Sequence, residues 1–161
     1  MRSGSQQGGR WPTLSATELA AEVAYRVRFD EAGPDGLVRR STLLRYAQDV
    51  AWIHSESLGF DRAWYAERGL AWVVRSAELA VVRPIRTGDA VVARTRVVGL
   101  RKVWARRRTE IRLLDGEGFP EPAARLYTDW VMTDHRGAPA RVPPEIPAVF
   151  GMPPEPYMPL R

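Results

Sequence analysis

Residues 43–59, LLRYAQDVAWIHSESLG, place a histidine, a carboxamide and a carboxylate on one short run. His54 is one of only two histidines in the chain and falls on the apolar stripe Leu43/Leu44–Ala47–Val50/Ala51–Leu58, with Gln48 and Asp49 well over a turn earlier. Such a histidine has two uses. It can be a core residue hydrogen-bonded to a backbone carbonyl, or it can be a general base, or an orienting group for Gln48 or Asp49 of a second protomer. Gln48 is no base but can hold a water, and Asp49 reads as a solvated or interface charge. Gln48 and His54 are both carried forward as candidate catalytic residues.

The composition excludes several other chemistries. With no cysteine there is no disulfide, thiolate metal site or cysteine nucleophile. No nucleophile elbow, phosphate-binding loop, dinucleotide fingerprint, zinc-protease motif or EF-hand loop occurs. No local spacing suggests a metal site, so the expectation is no metal and no cofactor. The first twenty residues lack a signal peptide's continuous apolar core, and no later run could span a membrane. A cytoplasmic protein is expected.

The net charge of +5 is concentrated in RTRVVGLRKVWARRRTEIR (94–112), where eight basic residues meet one acid, and the remainder is slightly acidic. Three readings apply: a solvated strand face, a docking surface for an acidic partner, or a nucleic-acid contact. One interleaved aromatic and no recognised module argue against nucleic acid.

These residues need positioning elements. EVAYRVRF (22–29) alternates as a strand does, and DEAGPDG is a turn-rich loop. Ser41 is the expected N-cap of a helix running to Leu58, with Gly59 as its stop and a further helical turn or two over 60–69. Residues 70–84, 88–100, 103–115 and 121–134 are rich in Val, Thr, Trp and Tyr and separated by turn signals, which predicts four long strands of a mostly antiparallel meander. Residues 1–20 are expected to be flexible, 21–146 to form one α+β domain, and 147–161 to be a proline-rich extended tail. One helix cannot fully cover five long strands, so pairing into a homodimer or homotetramer is expected. Trp52, Trp64, Trp72, Trp104 and Trp130 read as core or interface anchors, one or two of them lining a pocket.

The run GLVRRSTLLRYAQDVAWIHSESLG (36–59) resembles the loop and central helix of hotdog-fold thioesterases of the 4-hydroxybenzoyl-CoA type, through Leu44-Arg45-Tyr46 and Ser57-Leu58-Gly59. QDVAWIH (48–54), GLAWVVRSAELAVVRPIRTGD (69–89) and LYTDWVMTDHRGAPARVPPEI (126–146) are similar to the first hotdog half of acyl-acyl-carrier-protein thioesterases. The resemblance spans roughly residues 22–146 and implies a hotdog fold, a curved antiparallel sheet wrapped around a long central helix. It also implies hydrolysis of an acyl thioester on acyl carrier protein or coenzyme A. The carrier-protein enzymes have two such halves with catalytic residues in the second, so a single half would have to pair with another copy.

Thioester hydrolysis needs donors for the carbonyl oxygen as it gains charge, an acid group to activate water or attack, and a channel for the acyl chain. The resemblance implies a loop carboxylate, with Asp35 nearest its place and Asp30 and Glu31 upstream as alternatives. The backbone amides of Gly36, Leu37 and Val38 are placed as oxyanion donors. The bland reading of Asp35 is a Pro-Asp-Gly turn. Arg101, Lys102, Arg106, Arg107 and Arg108 become the candidate carrier-docking set. Two rivals remain: a dehydratase or hydratase using His54 on a 3-hydroxyacyl thioester, and a non-catalytic acyl-thioester binding protein.

Overall fold

The computed structural model describes residues 13–114 and 121–150. Six antiparallel strands form one sheet in the order β1-β2-β4-β5-β6-β3. They are β1 (Thr13–Ala16), β2 (Ala21–Arg26), β3 (Ala71–Val81), β4 (Ala90–Arg101), β5 (Trp104–Leu113) and β6 (Ala124–Thr133). Helix α1 (Arg40–Ser57) follows β2 and a single 3-10 turn at Phe29–Glu31; α2 (Arg62–Glu67) precedes β3 and α3 (Glu145–Phe150) ends the described chain.

The expected α+β hotdog fold is what the chain adopts. One stripe of α1, Leu43, Tyr46, Ala47 and Val50, packs on inward residues of four strands: Val23 of β2, Val91 and Ala93 of β4, Ile111 of β5, and Ala124 and Leu126 of β6. Strand period 2 turns every second residue of β5 inward, Ala105, Arg107, Thr109 and Ile111. A second cluster, Phe60, Tyr65, Val97, Met132, Ile146 and Phe150, lies toward the C-terminal half of α1.

Four expectations need correction. The strands are not one continuous meander: β4, β5 and β6 follow each other, but β3 pairs with β6 and β2 takes the place beside β4. Helix α1 begins after Arg39, so Ser41 lies inside its first turn and no side chain caps it. Residues 13–16, assigned to a flexible segment, form β1 at the sheet edge against β2; the expectation for residues 1–12 lies outside the described residues.

The C-terminal boundary also moves. Residues 145–150 are helical rather than extended, because Pro147 stands in the first turn, where its missing N–H breaks no helical bond. Ile146 and Phe150, four residues apart on one face, then reach the second cluster and are buried. The rest of the expected tail, 151–161, lies outside the described residues. Phe150→Ala should therefore cost about 3 kcal/mol of unfolding free energy in a denaturant titration, as for other buried aromatics. A loss below about 0.5 kcal/mol, the level of ordinary surface changes, would return this segment to the tail.

Candidate acyl-binding site

A cavity of about 660 Å³ opens between α1, α2, α3 and the inner face of the sheet. Its walls are largely apolar, with Trp52, Trp72, Trp130, Leu70, Val97 and Leu100 among them. Half-buried Gln48 and Asp49 stand on the α1 side, and the exposed Arg45 and Arg62 mark the rim. Buried Ser55, Tyr65, Arg107, Ile146 and Phe150 form the interior. Size and lining are those of a small-molecule site: apolar walls with a few placed polar groups. Of the five tryptophans considered above, three line it.

Gln48 therefore faces the space a ligand would fill, and so does Asp49. Asp49 is more than a solvated charge, because the hydroxyl of Tyr25 donates to its Oδ2. Tyr25 is itself fixed by stacking on Tyr46 at 4.3 Å between ring centroids. The carboxylate is thus held by Tyr25, on a residue that lines the cavity.

His54 is elsewhere. It is 0% exposed and is not part of the cavity wall. Its Nε2 lies 2.7 Å from the carbonyl oxygen of Thr17, and its Nδ1 lies 3.0 Å from Nη1 of Arg107. A carbonyl only accepts and a guanidinium only donates, so the partners assign the proton to Nε2 and the lone pair to Nδ1. Burial, reinforced by the Arg107 charge, pushes its pKa down to about 4, and the ring is neutral near pH 7. With both nitrogens engaged, His54 is the satisfied core histidine of the two readings and offers no base to the cavity. That removes the feature on which the dehydratase rival depended.

The loop before α1 is equally committed. Asp35 Oδ1 accepts from Leu37 N at 3.0 Å, the turn of the bland reading, and Asp35 is not among the cavity residues. The three expected oxyanion amides are all engaged: Gly36 N on Gly33 O at 2.9 Å, Leu37 N on Asp35, and Val38 N on Ile85 O at 2.8 Å. Each therefore already has an acceptor within the loop and its neighbours. Asp30 pairs with Arg28 at 2.9 Å. Glu31 Oε1 accepts from Arg28 N and from the hydroxyl of Tyr46, and burial with this hydrogen bond pushes the Tyr46 pKa well up.

The basic segment divides by strand parity. Arg101 and Lys102 are exposed at the β4–β5 turn. Arg106 binds Asp129 through Nε at 2.7 Å and Nη2 at 2.8 Å, which holds the Asp129 carboxyl below its usual pKa. Arg108 and Arg112 both bind Glu110. Arg107 has turned inward and is 7% exposed, so it cannot belong to a docking surface. Sequence reasoning missed this cation, although counting inward positions back from Ile111 gives its parity. It also missed a polar chain along the cavity wall: Trp72 Nε1–H donates to Tyr65 Oη at 2.9 Å, and Ser55, 3.1 Å from that oxygen, donates to Phe60 O. Among the described residues, no group of three potential metal-binding His, Cys, Asp or Glu side chains converges, and no helix is long and apolar enough to cross a membrane.

The His54 environment fixes a pH dependence. Its folded pKa of about 4 lies below the unfolded 6.5, so the unfolded state binds the proton first. The His54 contribution to stability is full above pH 6.5 and falls away as pH drops toward 4, by up to about 3 kcal/mol. Unfolding midpoints across this window should fall less steeply in His54→Gln than in the wild type. Parallel slopes would contradict the assigned environment.

Residues 18–150 match the family described as the acyl-ACP thioesterase N-terminal domain. No curated protein matches the chain in sequence. Among solved structures, the chain is similar to a protein described as an oleoyl thioesterase from Lactobacillus plantarum, with a TM-score of 0.76 and 22% identity over 88% of this chain and 54% of that one. It therefore spans about half the length of that relative. It is also similar to a mutant 4-hydroxybenzoyl-CoA thioesterase in complex with 4-hydroxybenzoyl-CoA, with a TM-score of 0.74 and 17% identity over 81% and 97% of the two chains. A 1,4-dihydroxy-2-naphthoyl-CoA thioesterase from Synechocystis gives a TM-score of 0.71 at 14% identity, over 82% and 96%. At these identities the structures support the hotdog fold, while the family match covers most of the sequence: the chain belongs to the acyl-ACP thioesterase N-terminal domain family.

Proposed function

We propose that the protein is a thioesterase that releases an acyl group from acyl carrier protein or coenzyme A, with the acyl group lodged in the cavity beneath α1. The single observation that carries this reading is the combination of an aromatic-lined cavity with Gln48 and an oriented Asp49 on one wall. In the proposed reaction Asp49 takes a proton from a water held by Gln48, the hydroxide adds to the thioester carbonyl, and collapse expels the thiolate, which is then protonated. The oxyanion needs donors other than Gly36, Leu37 and Val38. The first-turn amides of α1, Arg40 and Ser41, carry the positive end of its dipole, but they lie outside this cavity and would serve only a thioester held by a second copy. No metal or redox cofactor enters this chemistry. Arg101 and Lys102 remain as exposed cations for an acidic carrier or for coenzyme A phosphates.

Asp35 keeps a place in the proposal only through pairing. Lying outside its own cavity, it would act on a thioester held by a second copy in a homodimer or homotetramer. A second reading, an acyl-thioester binding protein, is favoured by one observation: the loop amides and His54 are engaged in structural bonds.

Thiol release from a panel of acyl-coenzyme A and acyl-carrier-protein thioesters separates these. The wild type is expected to release thiol, and Asp49→Asn to lower kcat by a factor of about 100 or more, the usual scale for a lost general base, with KM little changed. Asp35→Asn is expected to stay within about threefold of the wild type, since the carboxamide oxygen can still accept the turn hydrogen bond from Leu37 N. The reverse pattern would move the carboxylate to the loop and require the two-copy site. Binding without release from any member of the panel would leave the binding-protein reading.

A further inference from the structure

The inward-facing Arg107 is a buried cation without a counterion among the described residues. Its Nη1 contacts His54 Nδ1 at 3.0 Å and Thr95 Oγ1 at 3.5 Å. Its guanidinium carbon stands 5.7 Å from the ring centroid of Phe150. Both hydrogen-bond partners are neutral, and no carboxylate of the described residues lies in ion-pair contact with it. Nε and Nη2 donate to no described residue, yet the side chain forms part of the cavity wall. Its apolar neighbours along that wall include Val97, Ala105, Ile146 and Phe150; the polar neighbour, Tyr65, is uncharged and its hydroxyl oxygen already accepts from Trp72.

Such an arrangement is costly. A buried charge is ordinarily paired or neutralised, because desolvation alone costs several kcal/mol. Burial lowers the Arg107 pKa only to about 10, so the group stays charged at neutral pH. A plain hydrocarbon tail pushed against it would remove residual solvent and return nothing. An oxygen acceptor in the same place would complete the fork, most strongly if it were an anionic, bidentate carboxylate.

We propose that Arg107 is a specificity-determining residue, and that the cavity selects acyl groups bearing an oxygen acceptor beyond the thioester carbonyl over unsubstituted alkyl chains. This rests on the cavity being the acyl site, as in the proposed function. The oxygen is a carbonyl, hydroxyl or carboxylate, all recognised by the same guanidinium donors. The neutral His54 fits this role: it fixes the guanidinium from behind through Nη1 without cancelling its charge.

The test uses non-hydrolysable pantetheine amides, which carry the portion common to coenzyme A and acyl carrier protein. Three are compared by quenching of the cavity tryptophans Trp52, Trp72 and Trp130: octanoyl, 3-oxooctanoyl and 7-carboxyheptanoyl. At least one oxygenated amide should bind wild-type protein tenfold or more tighter than the octanoyl amide. Tightest binding of the carboxylate would identify an anionic group as the preferred acceptor, and tightest binding of the 3-oxo amide a neutral one; both support the proposal. Arg107→Met should abolish the preference and strengthen octanoyl binding. Because losing Arg107 also strips His54 of a partner, the variant's fold is checked by circular dichroism; if it does not fold, the wild-type ranking decides alone. Octanoyl binding equal to or tighter than both others would overturn the proposal and leave the acyl site standing. No quenching by any of the three would overturn both.

Discussion

One helix has to cover the concave face of a six-stranded sheet, and α1 cannot do so along its whole length. Its first half succeeds: Leu43, Tyr46, Ala47 and Val50 meet strands β2, β4, β5 and β6 in a continuous apolar core. At about 25 cal/mol per Å² removed from water, this is the contact that holds sheet to helix. Beyond Ala51 the stripe turns to His54 and Ser55, and the sheet continues past the helix. The uncovered area is roofed by α2 and α3, which bring Tyr65, Ile146 and Phe150. A roof made of two short helices does not close, and the cavity is what remains.

The polar groups around this space follow from the same shortage of apolar surface. His54 is inside because its position on α1 faces the sheet, and it is tolerated because Thr17 and Arg107 satisfy both nitrogens. Arg107 is inside because three consecutive arginines on a strand of period 2 cannot all face outward. Its flanking residues can be matched on the outer face, Arg106 by Asp129 and Arg108 by Glu110. The inner face has only neutral hydrogen-bond partners to offer it.

Much of the architecture was legible because periodicity is a strong signal when it is long. The stripe from Leu43 to Leu58 and the alternation of β4 through β6 needed no tertiary information. What stayed hidden were facts that only packing decides. Nothing local says that β3 pairs with β6 instead of β4, or that prolines near residue 147 begin a helix whose Phe150 is buried. The loop amides illustrate a different limit. Gly36, Leu37 and Val38 were rightly placed before the helix, but whether an N–H is available depends on Gly33 and Ile85, which meet it only in the fold. Summing the charges of residues 94–112 treated as one patch a set of side chains that the strand pleat divides.

The position of β3 governs how the chain must fold. Strands β4, β5 and β6 are joined by short connections, so their pairing closes small loops and can begin early. Strand β3 has no such neighbour. Its partner, β6, begins at Ala124, more than forty residues beyond the end of β3 at Val81. The entropy of bringing these ends together is lost before their hydrogen bonds repay it, which is the mark of slow, non-local pairing. During synthesis, AWVVRSAELAV emerges well before β6 and must wait as an unpaired, apolar, strand-forming segment. Arg75 and Glu78 interrupt it at that point, and charges so placed keep such a segment from pairing with another nascent chain.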